Sequence, residues 1–231
     1  MSDSPASPLV LISGLAADAR VFAPQRLFFP NLVVPPWPVP LAGESLDAYC
    51  ERFAADLAHY EQPIIGGASF GGIVALHLAR YMKPQAVILI GSIKAPSEIP
   101  PWFRATRFLR HLIRFVPVRW LQCLAFPLTS RFPSRFAPHL GGIVSQFCHA
   151  DPAVFRWSLQ ALLEWSEPPI LDCPVHHIHG ARDLVLPARY TKPNALIARG
   201  GHVISLSHSR EVNEFIRATT SQYGDHTTIC R

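Results

Sequence analysis

Three residue types that together make an alcohol nucleophilic occur in this chain in a suggestive order: Ser69, Asp183 and His202. A serine hydroxyl reacts poorly at neutral pH and needs a base, usually a histidine held by a carboxylate. Ser69 sits in Gly67-Ala68-Ser69-Phe70-Gly71-Gly72, between a strand-like apolar segment and a helical one. A strand that turns sharply into a helix forces its turn residue into a strained conformation, and small neighbours let the chain pass close to itself. The hydroxyl is left exposed, and the Phe70 amide, at the helix N-terminus, is aimed where an oxyanion would develop. By itself Gly-x-Ser-x-Gly also describes a glycine-rich turn packing a helix on a sheet. Its two partners make the difference. His179-Gly180-Ala181-Arg182-Asp183 places the carboxylate just past a strand end, and Gly200-Gly201-His202 places the histidine between the next strand and the last helix. In Ile12-Ser13-Gly14-Leu15-Ala16, after the first strand, the Leu15 amide is a candidate second oxyanion donor.

Such a constellation needs a scaffold that brings several strand ends together. Short apolar runs alternate with helical stretches, the pattern of an α/β fold whose mostly parallel sheet, of about six strands, carries helices on both faces. Pro8–Ile12, Asn31–Pro35, Pro63–Gly66, Ala86–Ile90, Pro174–His179 and Asn194–Ala198 are the strands expected. Helices are expected from Ser45 through Leu46, Tyr49, Phe53 and Leu57, from Phe70 to Met82 with Pro84 ending it, and from Ser207 to Tyr223. In a parallel sheet Ser69, Asp183 and His202 then all fall at the carboxyl edge, where open α/β sheets build their sites. The proline-rich Pro35-Pro36-Trp37-Pro38-Val39-Pro40 reads as a rigid extended connection within one domain covering residues 1–231. Residues 95–169 break the alternation and read as a helical cap inserted over the sheet.

Together these features resemble the α/β-hydrolase superfamily, in its compact esterase-like branch, over nearly the whole chain. Leu9 to Leu15 is similar to the oxyanion strand and loop, and Gly67 to Gly71 to the nucleophile elbow. His179 to Pro187 is similar to the acid loop, and Gly201-His202 to the histidine loop. The resemblance implies a catalytic triad of Ser69, Asp183 and His202, with the backbone N–H groups of Leu15 and Phe70 as the oxyanion hole. It also implies a hydrolase that cleaves a carboxylic ester or thioester through an acyl-enzyme, with no cofactor. Acyl transfer, lyase or peroxidase chemistry runs on the same fold, and a slow-turnover ligand-binding receptor is the rival from another class. Many members have His-Gly where this chain has Ser13-Gly14; that histidine lies outside the triad.

The cap is distinctive in composition. Between Ile99 and Ala150 there are seven arginines and no Asp or Glu, although the net charge of the chain is only +5. Arg104, Arg107, His111 and Arg114 recur at helical spacing, and this face suits either simple solvation or an anionic partner such as an acidic acyl carrier, a CoA phosphate or a membrane surface. Nucleic acid does not fit a charge so local and without a recognised binding module. Trp102, Phe103, Phe108, Trp120 and Phe126 are expected to line a pocket for a moderately hydrophobic, small-molecule substrate. His176, His177 and His179 alternate across a strand, so they do not converge on a metal and are expected at a partly buried sheet edge. Five widely spaced cysteines, the absence of an apolar membrane span and a start lacking a secretion signal lead us to expect a cytoplasmic protein.

Overall fold

The computed structural model describes residues 7–127 and 140–223. Its frame is a six-stranded, all-parallel sheet in the order β2-β1-β3-β4-β5-β6, formed by Leu9–Ile12 (β1), Leu32–Val33 (β2), Ile64–Ala68 (β3), Ala86–Ile90 (β4), Val175–Gly180 (β5) and Ala195–Ile197 (β6). Each expected strand is present: Ala86–Ile90 has the expected bounds, and the others are trimmed or shifted by one or two residues at an end. β1, β3 and β4 are buried along their whole length, which is why they read as unbroken apolar runs rather than alternating ones.

Alternation shows instead in which core each side chain joins. With Ala23–Phe28 as α1, Val10, Ile12, Ile65, Val87 and Leu89 face one layer, where they meet Tyr49 and Phe53 of α2 (Leu46–Asp56) and Ile73 and Val74 of α3 (Phe70–Met82). Leu9, Leu11, Ile64, Ile88 and Ile90 face the other, against Val21, Phe22, Val212 and Ile216. Fully burying a side chain of this size contributes about 1.5–3 kcal/mol, so the three central strands anchor the sheet. Caps set the helix ends. The Ser45 hydroxyl accepts a hydrogen bond from the Ala48 amide at 3.2 Å, with Asp47 in the favourable first turn of α2. α3 stops at Lys83, left-handed at φ 46°, immediately before Pro84.

Two expectations change in detail. The last helix begins earlier and breaks in two, Ile204–Ser207 and Ser209–Thr220, at His208, where the Ser207 hydroxyl bonds back to the Val203 carbonyl and to the His208 ring. β5 lies inside the sheet between β4 and β6, so His177 and His179 are fully buried rather than at a partly buried edge. His176, on the opposite face, is half-buried and hydrogen-bonds the Tyr223 hydroxyl.

Between β4 and β5 the described elements are all helical. A short α-helix, Pro101–Arg104, runs into an eleven-residue 3-10 stretch, Ala105–Phe115, followed by helices Val118–Ala125, Leu140–His149 and Pro152–Glu164. The 3-10 stretch packs against the last of these and buries only Ile113. Arg131, Arg135 and Cys230 lie outside the described residues. Among the described residues no helix is long and apolar enough to cross a membrane.

Candidate active site

Ser69 occupies the turn between β3 and α3 with φ 52° and ψ −125°, a region that a non-glycine residue enters only under strain. The surroundings impose it. The Ser69 amide donates to the Ile90 carbonyl at 3.1 Å, and the Ser69 carbonyl accepts from the Gly72 amide at 3.0 Å and from the buried Ser92 hydroxyl at 2.6 Å. A Cβ on Gly67 would stand 2.4 Å from the Gly71 carbonyl, and one on Gly71 would stand 2.2 Å from the Ser13 carbonyl oxygen. Glycine at these two positions is therefore a packing requirement, and it lets the first turn of α3 press against the end of β1.

The loop after β6 carries His202 to this turn. Its Nε2 lies 3.0 Å from Ser69 Oγ, and its Nδ1 lies 2.8 Å from Asp183 Oδ2. Gln25, buried in the helix Ala23–Phe28, ties together the two helices that follow this loop by donating to the Ser205 carbonyl and to Asn213 Oδ1. Asp183 is fixed from its other side by the amides of Val185 and Leu186, each 2.8 Å from Oδ1. Burial, the largest single influence, pushes the Asp183 carboxyl up; hydrogen bonds from His179, His202 and the Leu186 amide, with the His202 charge, outweigh it and hold the group well below the usual carboxylate range.

Behind the acid stands a pair of histidines whose role the sequence reading missed. His179 Nε2 is 2.7 Å from the Leu186 carbonyl oxygen and 3.3 Å from Asp183 Oδ2. A carbonyl only accepts, so His179 carries a proton on Nε2, and its Nδ1 lies 3.1 Å from His177 Nε2. Desolvation, with the nearby His179 and Lys94, pushes the His177 pKa down to about 3, which keeps that ring neutral. Among the described residues no three His, Cys, Asp or Glu side chains are grouped to hold a metal ion.

Leu15 lies in the loop that follows β1, and Phe70 lies directly after Ser69. Phe70 is the first residue of α3, so its N–H precedes the helical ladder. The Leu15 loop turns through Ala16 at φ 58° and closes with the Ala17 amide on the Gly14 carbonyl. Ser13 defines this loop in its own way: its buried hydroxyl donates to the Ala17 carbonyl at 2.9 Å and accepts Nε1–H of Trp37 at 2.8 Å. The Trp37 indole also stacks on the Phe70 ring, centroids 5.9 Å apart and planes 15° from parallel. One side chain from the proline-rich segment thus braces both amide-bearing segments.

Two chambers meet at Ser69 and His202. One, of about 270 Å³, is lined by aliphatic and aromatic side chains including Ile73, Ile99, Phe103, Leu159, Leu162 and Leu186. The other, of about 130 Å³, lies between the Gly14–Ala17 loop and Gln146, Phe147 and Val203. A larger cleft of about 640 Å³ between Pro40–Asp47 and the Pro152–Glu164 helix reaches neither Ser69 nor His202. Of the five aromatics expected at a pocket, Phe103 lines the apolar chamber, whereas Trp102, Phe108, Trp120 and Phe126 are exposed on the cap and line neither chamber. The aliphatic lining carries no signature that a single sequence could have shown.

A model described as the alpha/beta hydrolase family matches residues 5–215. No curated protein sequence matches. Solved structures share the fold at low identity. A thermophilic esterase from Thermogutta terrifontis is 20% identical with a TM-score of 0.70, over 93% of this chain and 89% of its own. An enol-lactonase from Burkholderia xenovorans LB400 is 17% identical with a TM-score of 0.67, over 93% and 92%. A Bacillus megaterium epoxide hydrolase is 12% identical with a TM-score of 0.65, over 96% and 95%.

Proposed function

This chain belongs to the alpha/beta hydrolase family, and on that premise we propose that it hydrolyses a carboxylic ester or thioester through an acyl-enzyme on Ser69. The observation that carries the reading is the unbroken hydrogen-bonded series Ser69 Oγ, His202, Asp183, 3.0 and 2.8 Å long, opening onto an apolar chamber. In this reading His202 Nε2 takes the hydroxyl proton as Ser69 Oγ bonds to the acyl carbon, and the carbonyl oxygen becomes an oxyanion facing the amides of Leu15 and Phe70. Each such donor contributes about 3 kcal/mol of transition-state stabilisation. His202 then gives its proton to the departing alcohol or thiol. A water deprotonated by His202 attacks the acyl carbon, the acid leaves, and the proton returns to Ser69. Asp183 keeps the proton of the neutral ring on Nδ1 and stabilises the imidazolium.

The 270 Å³ chamber suits an apolar acyl group and the 130 Å³ chamber a compact leaving group. A cytoplasmic setting agrees with the described cysteines, all of them free thiols. Labelling with a fluorophosphonate tests the assignment. Wild-type protein takes the label, Ser69→Ala takes none, and His202→Ala takes it far more slowly. Undiminished labelling of folded Ser69→Ala would overturn the assignment. An ester and thioester panel then separates the two bond types.

A further inference from the structure

The cap leaves large apolar side chains in water. On the 3-10 stretch, Phe108, Leu112 and Phe115 are 75, 56 and 67% exposed; on the adjoining helix Val118–Ala125, Trp120 and Leu124 are 75 and 72% exposed. One such residue on a surface is ordinary, but five on two successive elements mark an interaction face. Trp120 and Leu124, four residues apart, share a side of their helix.

Positive charge is interleaved with them. Arg104, Arg110, Arg114 and Arg119 are exposed, and the Arg114 guanidinium lies 4.7 Å above the Phe115 ring centroid. Arg107, which the sequence reading grouped with them, turns inward: it donates to the Trp165 carbonyl and ties the cap to the core. The ion pairs of arginine among the described residues belong to Arg20, Arg52, Arg80 and Arg210, none of them in the cap. Residues 99–150 hold no carboxylate side chain that could neutralise the face from within.

We propose that this face docks on the anionic surface of a lipid bilayer. The headgroup region offers what both parts of the face require, phosphates for the guanidinium groups and, within about 10 Å, acyl chains for the aromatic and leucine side chains. A second copy of the chain would set one carboxylate-free arginine face against another. The sequence of residues 128–139 likewise holds two arginines and no acid. An acidic protein would answer the arginines but leave five large apolar side chains facing carboxylates. The same insertion contributes Ile99 and Phe103 to the apolar chamber, so docking holds that chamber near a reservoir of apolar molecules.

Flotation of the full chain with vesicles reads this without any turnover, and so apart from the proposed chemistry. The protein floats with phosphatidylcholine vesicles containing about one-third phosphatidylglycerol at about 0.05 M salt, and is released at about 0.5 M. Phosphatidylcholine alone retains little. Arg110→Gln with Arg119→Gln lowers partitioning by about fivefold per arginine, and the corresponding double lysine variant restores it. Leu112→Ser with Leu124→Ser also weakens binding at about 0.05 M salt, although it leaves every charge in place. These positions are exposed, so each variant keeps the wild-type unfolding midpoint. Failure to float with anionic vesicles, or equal flotation on phosphatidylcholine alone, would overturn the proposal. Polyglutamate binding without vesicle binding would replace the bilayer with an acidic protein.

Discussion

The carboxyl edge of the sheet and the cap above it hold their polar side chains under opposite regimes. At the edge, Asp183 accepts bonds from two amides and His202, His202 also meets Ser69, and the Ser69 carbonyl is held by Ser92 and Gly72. Position there is over-determined. In the cap, Arg110 and Arg119 reach into water, and the 3-10 stretch buries one residue in eleven. The lesson is a division of labour: the geometry we propose for bond making is fixed by many short contacts, whereas the face we propose to meet a bilayer has no arginine ion pair among the described residues.

The contrast is tested most severely by Asp183→Asn, which keeps the shape of the acid and loses its charge and its demand for an Nδ1 proton. We expect kcat to fall about 10⁴-fold with little change in KM. A loss below tenfold would mean that the edge is less tightly specified than its distances imply. The next effect is on stability. His177 is held neutral in the fold, with a pKa of about 3 against 6.5 when unfolded, so the unfolded state binds more protons between these values. Stability therefore falls as the solution is acidified below pH 6.5, by about 1.4 kcal/mol per unit from this group until the fold itself protonates. His77, also depressed chiefly by burial, contributes to the same limb. Thermal unfolding against pH should show that limb flattened, not abolished, in His177→Asn; an unchanged slope would exclude the buried dyad as its source. The smallest expected effect compares two phenylalanines of the cap. Phe103→Ala opens the apolar chamber and should shift acyl-chain preference by about 1–3 kcal/mol in kcat/KM. Phe108→Ala should leave both that preference and the unfolding midpoint, within about 0.5 kcal/mol, where they were. Equal effects at the two sites would erase the distinction between inner and outer cap.

The sequence made the edge legible because its signals are local. Ala86–Ile90 is a strand because five apolar residues in a row suit burial on both faces, and Gly67 and Gly71 announce a turn in which a Cβ would collide with backbone. Asp183 and His202 were readable from their places after successive strands. The contributions of Trp37, Ser92 and His179 were not readable, because each arises from contacts between segments distant in the chain. A proline-rich run predicts an extended path but not what its tryptophan will touch. In the cap, helical spacing was visible, but whether the turn holds three residues or nearly four was not, and that choice decides which arginine turns inward. Arg107 did, to the Trp165 carbonyl.

Trp37 gives the molecule a mechanical peculiarity. The two amide-bearing segments lie far apart in the chain, one after β1 and one at the start of α3, yet both lean on one indole ring, as two leaves of an arch lean on a keystone. A disturbance that reaches that ring from the Pro35–Pro40 strap displaces both leaves in step. The sheet beneath, anchored by its own apolar layers, need not register the movement at all. Activity and folded structure should therefore fail at different thresholds, with turnover fading while the protein still melts as a native molecule.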